Sequence, residues 1–169
     1  RVDRRQRQMC IRDSLYTALS FLGGRGGHAD FASFSSEPNG RSNMNRLNMA
    51  QQVDGVDQTL LYARNNFRQG ATQLKVMQSG GVVSLFDPWQ MEGRTVEEIE
   101  AAVEIANQYD SYVMAHSYKK ESILRALNSG VKTIEHGFMF DGDVAALMNE
   151  KGAYITTNLT AFDPGLLDI

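Results

Sequence analysis

Cysteine is almost missing from this chain: Cys10 is its single thiol in 169 residues. One cysteine excludes an internal disulfide framework and a cysteine-based zinc site. No stretch is long or apolar enough to cross a membrane, although 42% of the residues are hydrophobic. There is no cationic surplus either. With a formal charge of −3, the chain gives no electrostatic reason to expect a nucleic acid or an anionic membrane as partner. Histidine is scarce, at three residues, so where those three fall carries information. No secretory leader is visible. A cytoplasmic setting is therefore the expectation, held open because the natural N-terminus is expected to be missing.

What is present is a globular composition, 22% charged, of a length that suits one domain. The first 14 residues differ from the rest. They carry five arginines against two aspartates and have no helical or strand periodicity. Arg5–Ser14, RQRQMCIRDS, resembles translated adapter sequence found at the ends of some metagenomic reading frames. Residues 1–14 are expected to be a foreign leader, and 15–169 to be the domain.

The domain has a recurring order. Leu15–Leu22 is apolar enough for a strand and runs into the glycine-rich loop Gly23–Asp30, which carries His28. That loop lacks the lysine and Ser/Thr of a phosphate-binding loop and the spacing of a dinucleotide fingerprint. Residues 33–48 read as polar loop. Asp57 is expected to cap a helix, suited by Leu60, Leu61, Arg64 and Phe67, that ends at Gly70. Ala71–Met77 is a strand containing Lys75. Thr95–Glu98 reads as a capping box opening a helix. Then come strand Ser111–Ala115 up to His116, helix Lys120–Ser129, strand Val131–Glu135 up to His136, a helix opened by Asp141, and strand Ala153–Thr157. Strands alternating with helices of this length predict an α/β fold with a parallel sheet, whose strand ends share one face.

Lys75, His116 and His136 fall in or at the C-terminal ends of three successive strands, where such folds keep their active sites. A lysine ammonium buried at Lys75 is costly unless paired or neutralised. Neutral imidazoles from adjacent strands suit Zn²⁺ or a similar divalent metal. The lysine joins such a site if its uncharged amine takes up CO₂, because the carbamate is an anionic ligand able to bridge two metals. Such a metal pair activates water for hydrolysis.

KVMQSGG, AHSY and IEHG, in this order, resemble the amidohydrolase superfamily, in particular its imidazolonepropionase-like and Xaa-Pro dipeptidase-like branch. GGHAD, DGVDQTLLYARNNFRQGATQLKVM and ALNSGVKTIEHG extend the resemblance over roughly Leu15 to Leu159. The resemblance implies an incomplete (β/α)8 TIM-type barrel, roughly strands 3 to 7 with their helices. It implies Lys75 as the carboxylated bridging lysine and His116 and His136 as metal ligands. Zn²⁺ is the implied cofactor, as a pair, with other divalent metals as alternatives. Tyr118 would bind the substrate's carboxylate or carbonyl, and His28 would border the pocket. The family's His-x-His pair on its first strand and its strand-8 aspartate, the general base, have no counterpart here. Asp163 and Asp168 follow the last strand too closely to replace that aspartate. The implied reaction is hydrolysis of an amide, peptide or cyclic amide bond in a small-molecule or peptide substrate. Homo-oligomerisation is left open.

Each residue also has an ordinary reading. Lys75 can be a strand lysine reaching solvent, and His116 a hydrogen-bonded core histidine. His136 can close a strand before Gly137, Tyr118 can be a packing aromatic, and His28 an exposed loop histidine. The matched placement of Lys75, His116 and His136 argues against the first three together. Two other functional readings remain: a barrel lyase with Lys75 as Schiff-base nucleophile, and a partial barrel that is inactive and poorly soluble alone.

Overall fold

The computed structural model describes residues 16–37, 40–82, 84 and 86–158. Residues 1–14 with Cys10, and the aspartates Asp163 and Asp168, lie outside the described residues. In chain order the elements are β1 (Phe21–Gly23), α1 (Asn43–Arg46), β2 (Ala50–Gln52), α2 (Val56–Gln69), β3 (Leu74–Met77) and α3 (Val96–Gln108). They continue with β4 (Val113–Lys119), α4 (Lys120–Asn128), β5 (Thr133–Met139), α5 (Gly142–Lys151) and β6 (Tyr154–Thr156).

All six strands are parallel, in the order β2-β1-β3-β4-β5-β6. From β3 onward each strand lies beside the next in sequence, as the alternation of strands and helices predicts. β2 does not: it pairs on the far side of β1, Phe21 opposite Ala50 and Gly23 opposite Gln52.

One face of the sheet carries Leu74 and Val76 from β3, Val113 and Ala115 from β4, and Ile134 from β5, all within 1% of complete burial. These pack in a single core with Ile99, Ala102 and Ile105 of α3, Ile123 and Leu127 of α4, and Val144 of α5. Because successive strand residues point to opposite faces, the other face receives Lys75 and Met77, Met114 and His116, Thr133 and Glu135. The parallel register lines them up, Lys75 with Met114 and Thr133, Met77 with His116 and Glu135. The site is built on this second face.

Thr95 caps α3 by accepting from the Glu98 N–H while the Glu98 carboxylate accepts from the Thr95 N–H, the reciprocal arrangement its sequence predicts. Asp141 likewise caps α5. Several expectations need correction. α2 begins after Gly55, so Asp57 lies in its first turn, where a negative charge suits the helix dipole. Its buried face is Thr59, Ala63, Asn66 and Phe67, and Leu61 is exposed. Within the stretch read as loop, Ser42 and Asn45 form a capping box for the short α1. β2 follows, and its Ala-Gln-Gln sequence lacks the alternation that marks a strand. Finally, β4 and β5 do not stop at His116 and His136 but run three residues further, to Lys119 and Met139.

Candidate active site

Alternation puts His116 on the open face of β4, but by the same rule His136 should point away from it. In the register His136 stands opposite Ser117, a residue buried against the helices. The backbone breaks the rule. His136 has φ +75° and Gly137 φ +57°, and the β4–β5 register shifts between Ser117 and Lys119. This is a bulge that turns the side chain across the sheet, and histidine tolerates the left-handed region better than most residues. A side chain at Gly137 would meet Ile155 Cδ1 at 2.3 Å, so glycine is required there twice over. The imidazole of His136 consequently lies against His116, ring centroids 4.7 Å apart, and against Tyr118 at 5.4 Å.

His28 arrives from the loop after β1 and stacks on His116, with centroids 4.0 Å apart and planes 14° from parallel. It is half-buried. The approach needs Gly81, whose absent Cβ would stand 2.1 Å from the His28 ring. Tyr118 completes the cluster, 4.7 Å from His116, its hydroxyl bonded by the Val82 backbone. Lys75 lies one register step back on β3 and is partly buried. Its charge acts on all three histidines.

The long loop between Met77 and Val96 forms one wall. The Gln78 and Ser79 N–H groups both donate to the His116 carbonyl, at 3.0 and 3.2 Å. Gly80 N–H donates to Met91 O and Gly93 N–H to Gln78 O, folding the loop back on itself. Glu92 ties it to β4 and α4 through Lys119 at 2.9 Å, Ser122 Oγ at 2.9 Å and Arg125 at 3.5 Å. The Gly80 carbonyl lies 3.1 Å from His116 Nε2. A carbonyl only accepts, so Nε2 carries the hydrogen and Nδ1 is left with the lone pair.

Burial sets the protonation states. Desolvation pushes His116 far below the usual imidazole range, aided by the nearby His28. It lowers His136, with Lys75 adding to the effect. It also lowers His28, against the opposing pull of Asp87. Lys75 is brought down by desolvation to about 8, with Glu135 working in the other direction. Burial raises the Tyr118 phenol. Near neutral pH the imidazoles are therefore electron-pair donors, and the Lys75 amine is within reach of its neutral form. This donor chemistry fits a divalent cation at Lys75, His116 and His136. The set is a partial one: among the described residues, no three His, Cys, Asp or Glu side chains form a group that could hold a metal.

The structure thus brings together His28, His116, His136 and Tyr118, with Lys75 beside them. Sequence reasoning missed Asp87 and Ser84, which meet His28 from the loop wall, and Glu135, which faces Lys75. The signal for the first two was available: loops longer than about 12–15 residues inside a compact fold are commonly functional.

The fold is a parallel α/β sheet that gathers three histidines, Tyr118 and Lys75 on one face. The chain belongs to the amidohydrolase family, whose sequence pattern matches residues 19–165. It is 38% identical over 106 residues to ochratoxinase of Aspergillus niger, a match covering 62% of this chain and 22% of that protein. It is similar to a prolidase solved with N-methylphosphonate-L-proline: 36% identity, TM-score 0.82, covering 91% of this chain and 40% of that one. It is similar also to a Xaa-Pro dipeptidase solved with methionine in the active site: 27% identity, TM-score 0.74, covering 93% and 39%. These relatives agree with the dipeptidase-like resemblance. The chain spans about two fifths of their length, so its six strands are part of a barrel.

Two outcomes are expected. Gly137→Ala should destabilise the protein by at least about 1–2 kcal/mol, from the left-handed backbone alone, as read by urea denaturation. In metal-free protein, the histidines have folded-state pKa values below the ordinary 6.5, so the unfolded chain takes up protons first on acidification. Stability should then fall as pH drops below about 6.5, and His116→Gln should flatten that slope. Lys75 acts in a separate window: between about 8 and 10.5 the unfolded chain holds the extra proton, so its contribution rises with pH.

Proposed function

We propose that the protein carrying this chain is a metal-dependent hydrolase of amide and peptide C–N bonds, acting on a small-molecule or peptide substrate. The observation that carries this reading is the convergence of His116 and His136, both kept neutral by burial, beside a lysine whose amine is shifted toward its neutral form. The prolidase and Xaa-Pro dipeptidase likenesses support an acyl–amino acid bond as the substrate class.

On this reading Lys75, His116 and His136 hold Zn²⁺, expected as a pair. When bound, the metal supplies Lewis-acid activation of water and of the scissile carbonyl. The neutral Lys75 amine attacks CO₂, forming an N–C bond and releasing one proton, and becomes an anionic carbamate. The Gly80 carbonyl holds the Nε2 hydrogen of His116 and keeps its Nδ1 lone pair directed to the ligand role. Tyr118 and His28 line the mouth, where a phenol hydroxyl and an imidazole bind the substrate's carbonyl or carboxylate. Tyr118, Phe138 and the histidines form one aromatic cluster there.

The lowered Lys75 pKa also suits a Schiff-base nucleophile, and borohydride trapping with a carbonyl substrate separates the two readings. The hydrolase gives no adduct. In the full-length protein, Lys75→Ala and His116→Ala should each lower bound metal, measured by mass spectrometry. Each should also cut kcat/KM for a Xaa-Pro dipeptide about 100-fold or more. Full metal content and full activity in Lys75→Ala would refute the proposal.

A further inference from the structure

Asp87 is a buried ionisable group to which the chemistry above gives no task. It sits in the long loop between β3 and α3, and its side chain is fully shielded from solvent. A carboxylate withdrawn from water is costly unless donors meet it. Here Oδ2 accepts from the Gly81 N–H at 2.7 Å and lies 3.4 Å from His28 Nδ1. Oδ1 has no partner among the described residues. The other group meeting His28 Nδ1 is the hydroxyl of Ser84.

These contacts bear on which nitrogen of His28 carries its hydrogen. An ionised carboxylate can only accept, and a serine hydroxyl can do either. The nearby Asp87 carboxylate favours a hydrogen on Nδ1, which the Ser84 hydroxyl can accept, and in the neutral ring Nε2 then keeps the lone pair. The ring plane is fixed as well, by the stack on His116 and by the bare backbone of Gly81. Asp87 holds that same glycine through its N–H, so a single carboxylate locks both the ring and the backbone the ring packs on.

We propose that Asp87 is a positioning residue: it holds His28 as the Nδ1–H tautomer, so that Nε2 is the nitrogen the substrate meets. This rests on the amide-hydrolase reading only for the identity of the substrate. The contacts of His28 with Asp87 and Ser84 stand without it. A carboxylate that orients an imidazole in this way recurs wherever histidine must present one defined nitrogen.

The test uses full-length protein with ¹⁵N-labelled histidine, freed of metal, in which long-range proton–nitrogen spectra identify the His28 tautomer. The wild type should show Nδ1–H. Asp87→Asn offers an amide that can donate to Nδ1 instead, and should shift His28 toward Nε2–H. It should also lower kcat/KM for a Xaa-Pro dipeptide about 10–100-fold in the metal-loaded enzyme. A wild-type Nε2–H tautomer overturns the proposal, and does so even if Asp87→Asn fails to fold. So does an Asp87→Asn protein with its tautomer unmoved or its kcat/KM unchanged. If the wild type hydrolyses no amide, the hydrolase reading falls, while the wild-type tautomer still decides the role of Asp87.

Discussion

Four basic side chains, Lys75, His28, His116 and His136, are crowded at one end of a parallel sheet, and the site is organised around that crowding. Charged together, they would repel one another where burial weakens screening by water. Burial resolves the conflict by driving the imidazoles to their neutral form and bringing Lys75 down to about 8. Neutral rings can then stack and tilt against each other at centroid distances of 4.0–4.7 Å, which imidazolium ions would not do. The same desolvation that makes the packing possible turns its members into electron-pair donors. Packing and chemistry share one cause.

The crowding explains the backbone around it. Gly81 lacks a side chain because the His28 ring occupies that space. Gly137 follows His136 because the bulge that swings the imidazole across the sheet needs a second left-handed residue, and Ile155 leaves no room for a Cβ. Without the bulge, β5 would present Thr133 and Glu135, but not His136, on the face of His116. The bulge gives β5 two functional residues in succession on one face, which regular pleating forbids.

What the sequence discloses and what it hides divide along physical lines. Hydrophobic alternation, capping boxes and glycine stops are local, so α3, α5 and the strands from β3 onward are legible in it. The equivalence of His116 and His136 as strand-end residues is not real, because a left-handed φ at a histidine leaves no mark in residue type. β2 is hidden because Ala50 is its one buried apolar residue and its existence depends on the edge that β1 offers. Leu61 misleads since apolar type does not ensure burial, and α2 buries Thr59 and Asn66 instead. Asn66 earns that place by donating to the Ser20 carbonyl at 2.6 Å. Asp87 is invisible for a similar reason: its partners, His28 and Gly81, are brought to it only when the long loop folds against the sheet.

Glu135 exposes a tension in the proposed chemistry. Its charge works to keep Lys75 protonated, and protonation blocks uptake of CO₂. Once formed, a carbamate would place a second anion beside Glu135. A divalent metal would offset that repulsion, and without the carbamate the same metal would face the Lys75 ammonium. On this reading metal and carbamate each remove the obstacle to the other, so neither is expected to accumulate alone. Linkage of this kind would favour a protonated Lys75 facing Glu135 when no metal is bound, and would make occupancy cooperative in metal and CO₂. On the proposed chemistry the partly buried lysine would be compatible with both states, and Glu135 would set the balance between them.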